Sequence, residues 1–201
     1  MRIDSQDVSA SGSPELAMDL EGNAIALWEG AHAVWAKRFT PNAGWGSPAL
    51  LQSGDLGDPV VSVNGKGVAA AVWLQLDGPG STLRAARFEP TTGWRGAQTV
   101  VQSDRGPDDL IHSPDVAIDD NGNAIAVWAQ QRSTTDQRVW ASRFTLGTGW
   151  GAATAIESRG GGRSYMPKVG SDRNGNAIAI WRREEGGRFM VLASRFQTEK
   201  R

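Results

Sequence analysis

The chain has 201 residues, of which 39% are hydrophobic and 21% are charged, a composition typical of a globular protein and not of a disordered one. Its formal net charge is −1, so we expect neither a nucleic-acid nor a membrane partner, both of which favour a basic surface. The absence of cysteine excludes disulfide bonds and thiolate metal sites.

The N-terminal sequence MRIDSQDVSASGSPEL has no apolar segment of the kind found in signal peptides. No apolar run elsewhere approaches the ~18 residues that a transmembrane helix needs. We therefore expect no signal peptide in this chain, and leave the compartment open. A secreted or extracytoplasmic location would follow if a leader had been removed.

Four segments of the chain repeat nearly the same sequence, each running from a proline to a tryptophan fourteen residues later. Apolar residues occupy both faces of the second half of each segment, which indicates a strand buried on both sides. A period of about 45–55 residues with short alternating segments predicts a repeat architecture. The segments are Pro14–Trp28, Pro59–Trp73, Pro114–Trp128 and Pro167–Trp181.

Each repeat is predicted to form up to four antiparallel strands, taken here in chain order. The first strand, around Leu16–Met18 in the first copy, leads into a turn with Asp or Asn first and Gly fourth, typical of a hairpin. The second strand ends near the tryptophan, the third ends in Arg-Phe, and a Gly-Trp pair opens the fourth in the first three copies. The turns begin at Asp19, Asn64, Asp119 and Asp172. The third strands end at Phe39, Phe88, Phe144 and Phe196. The Gly-Trp pairs contain Trp45, Trp94 and Trp150.

Four antiparallel strands per repeat describe a blade of a β-propeller, so the predicted fold class is all-β. The blade units are expected at about 14–53, 59–103, 114–158 and 167–201, with residues 1–5 added to the last. Because Ile3–Ser5 resemble the end of the fourth strand elsewhere, the N-terminal strand is predicted to complete the last blade. Three assemblies fit this pattern: a four-bladed ring, half of an eight-bladed ring formed by a homodimer, and a piece cut from a longer chain.

The motif P-x-V-A-x-D-x-x-G-N-A-I-A-V-W, followed by A-S-R-F and G-W-G, resembles bacterial β-propeller repeats of the short-blade, Asp-box-like or lectin-like kind. This resemblance covers nearly the whole chain and implies a propeller fold. The turns differ from the Asp-box pattern S-x-D-x-G-x-T-W. Propeller lectins that bind fucose hold the sugar with an arginine, an acidic residue and a tryptophan, but the inner strand here carries no arginine. The resemblance therefore transfers no site residue.

The lengths of the connections predict which end of the propeller carries function. Connections on one face are uniform, whereas the loops after the second strands and the links between blades vary, and insertions in repeats usually map to the binding face. The variable loops are Glu29–Ala33, Leu74–Ser81, Ala129–Gln137 and Arg182–Arg188, and the links are Gln52–Asp58, Ser103–Ser113 and Glu157–Met166. The polar residues expected to contact a ligand on this face are Asp109, His112, Arg132, Arg163, Tyr165 and Arg183.

The repeated tryptophans admit two interpretations. Their indoles could stack on sugar rings beside the variable loops, or each could pack against small residues of the next blade. Both remain open at this stage, and the four are kept as candidate ligand-binding residues: Trp28, Trp73, Trp128 and Trp181.

The pattern favours a non-catalytic binding protein, with carbohydrate recognition preferred. The alternatives are a protein-interaction scaffold and an engineered or excised propeller without a ligand of its own. No enzymatic activity is predicted, because His32 and His112 lie in different repeats and the turn carboxylates are explained by turn chemistry. Asp119–Asn123 lacks the downstream acidic ligand of a calcium loop, so neither a metal nor a cofactor is predicted.

Overall fold

The computed structural model describes residues 2–4, 12, 14–76, 80–103, 109–133, 136–157 and 162–198. Every regular element in these ranges is a β-strand, and the strands form four successive antiparallel groups, here called blades. Over the same ranges, no helix is long and apolar enough to cross a membrane. The predicted all-β class is confirmed.

The first two blades each have a fourth strand that is split in two. The first consists of β1 (Glu15–Met18), β2 (Ala24–Glu29), β3 (Ala33–Thr40), β4 (Gly44–Trp45) and β5 (Ala49–Ser53). The second consists of β6 (Leu56–Val63), β7 (Ala69–Gln75), β8 (Thr82–Glu89), β9 (Gly93–Trp94) and β10 (Gln98–Gln102). In both, the two pieces of the fourth strand pair with the third strand.

The third and fourth blades differ in their outer parts. The third consists of β11 (Leu110–Ile118), β12 (Ala124–Ser133), β13 (Asp136–Thr145), β14 (Gly149–Trp150) and β15 (Thr154–Ala155). The fourth consists of β16 (Arg163–Ser171), β17 (Ala177–Glu185) and β18 (Arg188–Phe196). The first strands of successive blades contact one another, so β1, β6, β11 and β16 line the inside of the array.

The hairpin turns between first and second strands match the sequence pattern. The Asp19 carboxylate accepts the backbone N–H groups of Glu21 and Asn23 and the side-chain amide of Asn23, at 2.8–2.9 Å. Gly22 has a φ of 82°, a conformation that only glycine adopts without strain. The same bonds recur around Asp172. These turns fix the register of each inner hairpin.

Large side chains of one blade pack against small side chains of the next. Ile25 and Leu27 of the first blade form a buried cluster with Ala69 and Ala71 and with the ring of Trp73. The same arrangement joins the second blade to the third and the third to the fourth. Because each blade buries its faces only against its neighbours, stability accumulates along the array.

A second contact between blades repeats on the outer side. Within a blade, the phenylalanine at the end of the third strand meets the tryptophan of the Gly-Trp pair, with ring centroids 5.4–5.6 Å apart. The arginine before that phenylalanine lies over the corresponding ring of the next blade: Arg38 over Phe88, Arg87 over Phe144 and Arg143 over Phe196. These cation–π contacts link the blades in series.

The predicted completion of the fourth blade by the N-terminus is not seen. The carbonyl of Ile3 accepts a hydrogen bond of 2.9 Å from Lys37, which places Ile3 beside the first blade. The far face of the fourth blade is exposed, with Ile178, Ile180 and Val191 at 53%, 46% and 74% of their full accessibility. Residue 5 of the predicted strand lies outside the described ranges.

Replacement of Trp128 by Ala is expected to lower the free energy of unfolding by about 3–5 kcal/mol, because its fully buried ring fills the contact between the second and third blades. Replacement of the half-buried Trp94 serves as the control and should cost less. Chemical denaturation followed by circular dichroism measures both. Equal losses for the two variants would contradict this packing.

Candidate functional site

The first strands of the second, third and fourth blades (β6, β11 and β16) each contain a shift in hydrogen-bond register near their N-terminal end. Proline has no N–H to donate to a neighbouring strand, so a ladder is interrupted where a proline occurs. The register shifts at Pro59, Pro114 and Pro167, and the residue before each has a φ of about 50°: Asp58, Ser113 and Met166. Such bulges redirect side chains and are frequent beside active sites.

These three bulges define a surface that we call the inner rim. It consists of the two residues before each proline: Gly57 and Asp58, His112 and Ser113, and Tyr165 and Met166. A left-handed conformation at a non-glycine residue costs about 1–3 kcal/mol and persists only where the surrounding structure holds it. The inner rim lies at the end of the blades that carries the variable loops.

His112 is the titratable group at the centre of the inner rim. Burial lowers the pKa of His112 below its ordinary value; the Asp58 carboxylate acts in the opposite direction, and the Arg163 charge lowers the pKa further. Its Nδ1 lies 3.4 Å from the Ser113 hydroxyl. The three adjacent blades therefore bring an imidazole, a carboxylate and a guanidinium within electrostatic range of one another.

Tyr165 presents an aromatic ring on the same rim. The guanidinium carbons of Arg163 and Arg182 lie 5.6 Å and 5.1 Å from the centroid of this ring. Arg163 also donates to the side-chain oxygens of Gln131 and Gln137, at 3.3 Å and 3.1 Å. This part of the rim combines an aromatic ring with two guanidinium groups, residue types that carbohydrate sites use.

A second carboxylate lies beside Gly57, the residue that precedes Asp58. Glu29, the last residue of β2, places its Oε2 atom 3.9 Å from the position that a Cβ would occupy on Gly57, next to Asp58 in the chain. Asp58 is exposed and Glu29 is half-buried. By contrast, Asp115 is buried and accepts the backbone N–H of Val169 at 2.8 Å, so it ties β11 to β16. Glu29 and Asp58 therefore lie near each other along the first and second blades, on either side of Gly57.

The four repeated tryptophans do not lie on the inner rim. They are 0–3% exposed, and three of their indole N–H groups donate to Gln52, Gln130 and Glu157 at 3.1–3.3 Å. Trp73, Trp128 and Trp181 belong to the buried clusters between blades, so a sugar ring cannot stack on these three without displacing this packing. All four side chains are buried: Trp28, Trp73, Trp128 and Trp181.

Asp109 and Arg183, also expected on the binding face, are buried as well. Asp109 is fully buried and accepts the amide of Gln130 at 2.6 Å. Arg183 pairs with Glu157 at 3.1 Å, and the same carboxylate group accepts the hydroxyl of Ser164 at 2.8 Å. Both hold the loops below the rim and do not border it.

Of the predicted residues, the structure brings together His112, Arg163 and Tyr165. Sequence reasoning did not single out Asp58 and Glu29, although both fall inside the predicted variable segments. The signal for Asp58 was its position directly before the repeated proline, which aligns it with Ser113 and Met166 in the other copies. In the described ranges, no group of three or more acidic or histidine side chains could hold a metal ion.

Comparison with known proteins places the fold among the β-propellers. No protein-family model and no curated protein matches the chain. Among solved structures, an α-L-arabinanase of Penicillium chrysogenum, crystallised with arabinobiose, has a TM-score of 0.60 at 13% identity, with 91% of this chain and 62% of that chain covered. An endo-arabinase of Bacteroides thetaiotaomicron has a TM-score of 0.58 at 10% identity, with 98% and 80% covered. A GH43 endo-arabinanase of Bacillus licheniformis has a TM-score of 0.54 at 14% identity, with 92% and 71% covered.

These matches correct two expectations drawn from the sequence. The chain was expected to be a non-catalytic binding protein, of the lectin or scaffold kind or without a ligand, and not an enzyme. The folds that it matches are instead those of proteins named as arabinanases and GH43 enzymes. The expectation had rested on the absence of a catalytic motif within any one repeat, and residues that come together from different blades form no such motif. At 10–14% identity the likeness itself establishes the fold.

The depressed pKa of His112 predicts a pH dependence of stability. The unfolded chain takes up a proton below pH 6.5, whereas the folded chain resists protonation until its lower pKa is reached. The stability of the folded protein should therefore decrease as the pH falls below 6.5 and level off below the folded pKa. A His112→Gln variant should show a shallower decrease in denaturant titrations. Identical slopes for both proteins would contradict the burial of His112.

Proposed function

We propose that this protein hydrolyses a glycosidic bond in a carbohydrate bound at the inner rim. The proposal depends on one observation: two carboxylates, Glu29 and Asp58, border the same rim of a fold that matches arabinanases. Glycoside hydrolysis needs two carboxyl groups on opposite sides of the scissile bond. Here the two carboxyl groups come from adjacent blades, with Glu29 on β2 and Asp58 on β6.

The two carboxyl groups would divide the acid and base roles. One protonates the oxygen of the leaving sugar, while the other activates water or attacks the anomeric carbon directly. Asp58 is exposed, and its backbone is held in a left-handed bulge. Its carboxylate is therefore already positioned toward a ligand before the ligand binds. Such positioning is a principal contribution of a protein to this chemistry.

His112 and Tyr165 of the rim, with Arg163 and Arg182 beside it, would bind the substrate. Tyr165 would add apolar contact with a sugar, while Arg163, Arg182 and His112 would offer polar groups to its hydroxyls. The named substrates of the matched structures make arabinan the first substrate class to test. An aromatic platform next to hydrogen-bond donors is the usual composition of a carbohydrate site.

Hydrolysis of linear arabinan, followed by the release of reducing ends, tests this function. Asp58→Asn and Glu29→Gln are each expected to lower kcat by about 10²-fold or more, because each removes one of the two proton-transfer groups. Asp55→Asn is the matched control, since Asp55 is an exposed carboxylate three residues away on the same segment. Circular dichroism confirms that the variants fold.

Two results would contradict the proposal. One is that the wild-type protein binds arabinans and arabinofuranosides but hydrolyses none of them. The other is activity that persists unchanged in both carboxylate variants. A Tyr165→Ala variant separates binding from chemistry, since loss of the platform should raise KM with little change in kcat.

Closure of the propeller, by one chain or by two in a homodimer, stays a prediction of the repeat pattern. Its support is the exposed apolar face of the fourth blade, which includes Ile178, Ile180 and Val191. Light scattering on a sizing column measures the mass in solution. Twice the chain mass of 21.5 kDa would support closure by two chains.

A further inference from the structure

Gln137, the second residue of β13, is a buried polar side chain that bonds the part of β16 leading into the inner rim. It is 2% exposed. Its side-chain N–H donates to the carbonyl of Ser164 at 2.7 Å, and its side-chain oxygen accepts a hydrogen bond of 3.1 Å from the Arg163 guanidinium. A buried amide that both donates and accepts in this way fixes the two groups to which it bonds.

The second blade uses the equivalent position in the same way. Ser81 and Gln137 each lie seven residues before the phenylalanine that ends the third strand of their blade. Ser81 is buried, and its hydroxyl accepts the backbone N–H of Ile111 at 2.6 Å. Ile111 and Ser164 both come directly before a rim residue. In both cases, therefore, a buried side chain of one blade holds the backbone that leads into the rim of the next.

Arg163 does not bond to the carboxylate that lies opposite it. In the register of β16 and β17, Arg163 faces Glu184, a position in which opposite charges attract. Among the described residues, the guanidinium donates instead from one nitrogen, Nη2, to the side-chain oxygens of Gln131 and Gln137. Both acceptors are neutral, so these bonds position the guanidinium without compensating its charge.

This arrangement leaves one side of the Arg163 guanidinium for a ligand. The two hydrogen atoms of Nη2 are used by the two glutamines, so the donors that remain are the N–H groups of Nε and Nη1. The guanidinium carbon lies 5.6 Å from the centroid of the Tyr165 ring. A donor group that is fixed beside an aromatic ring before the ligand arrives loses less entropy on binding than a mobile one.

The same guanidinium acts on His112. Burial lowers the pKa of His112 most, the Asp58 carboxylate on β6 raises it, and the Arg163 charge lowers it. Farther along β11, Asp115 pairs with Lys168 of β16 at 3.5 Å. A variant in which Arg163 moves away or is neutralised should therefore have a higher His112 pKa, and this readout requires no enzymatic activity.

We propose that Gln137 is a positioning residue of the inner rim, which holds Arg163 and the backbone before Tyr165 in the arrangement that receives a ligand. Gln137 acts through these two groups, because its own side chain is buried. Its part in substrate binding rests on the proposed hydrolytic function, whereas its hold on Arg163 does not.

An NMR titration of the two histidines tests this role. Gln137→Met keeps the approximate length of the side chain but removes both hydrogen bonds, so Arg163 is released toward Glu184 and the pKa of His112 should rise. Gln137→Asn, which is too short to reach both groups, should raise this pKa as well, and it decides if Gln137→Met fails to fold. His32 is the only other histidine and serves as the internal reference, while a His112→Gln variant assigns the signals.

Two controls show whether the effect passes through Arg163. In an Arg163→Met background, the Gln137 variants should leave the pKa of His112 unchanged, because residues that act as one hydrogen-bonded unit have non-additive effects. Gln52→Met removes a glutamine that bonds Gln75 between the first two blades, and it should leave the pKa of His112 unchanged in the wild-type background.

The kinetics of arabinan hydrolysis give a second readout. Gln137→Met should raise KM about five-fold and change kcat by less than about two-fold, since it weakens substrate binding without removing a proton-transfer group. A fall in kcat at unchanged KM would contradict the role in binding. A wild-type protein without hydrolytic activity would overturn the proposed function, and the titration would still decide the role of Gln137.

Two results of the titration would overturn the inference. The first is a His112 pKa that is the same in the wild type and in the folded Gln137 variants. The second is a rise in this pKa that is equally large in the Arg163→Met background, since Gln137 would then act on His112 by a route other than Arg163.

Discussion

Packing of one blade on the next is the interaction on which the rest of the structure depends. Each inner hairpin turns a face of alanines and one tryptophan toward a face of isoleucine, leucine or valine on its neighbour. Neither face can be buried within its own blade, so a blade is stable only beside another. The invariant spacing from proline to tryptophan follows from this requirement, because a single insertion would move every side chain of the strand to the opposite face.

The same packing creates the candidate site. Because the inner strands are clamped between blades, the irregular backbone before each proline can be held in a left-handed conformation at Asp58, Ser113 and Met166. Three neighbouring bulges then direct dissimilar side chains to one rim, although the strands that carry them are nearly identical. The repeats supply a uniform scaffold, and the two residues before each proline differ from copy to copy.

The sequence predicted the architecture well and the site poorly, because strand and turn signals are local whereas the site depends on contacts between blades. Turn signals at Asp19 and its counterparts, alternation within the strands and the Gly-Trp pairs are local patterns, and the structure reproduces them. The choice between two roles for Trp128 required knowledge of what covers its face, which is a long-range property. The approach of Glu29 to Gly57 depends on the contact between two blades, and the position of Ile3 depends on Lys37. Neither contact can be predicted from a local sequence pattern.

The central claim is that the inner rim, and not the framework tryptophans, receives a carbohydrate between the two carboxylates. A crystal structure of the Asp58→Asn variant with an arabinan oligosaccharide tests it most directly. The account predicts sugar density on the rim, with a ring over Tyr165 and a glycosidic oxygen between Glu29 and residue 58. Sugar density confined to another surface, or an unliganded rim at a saturating oligosaccharide concentration, would contradict it.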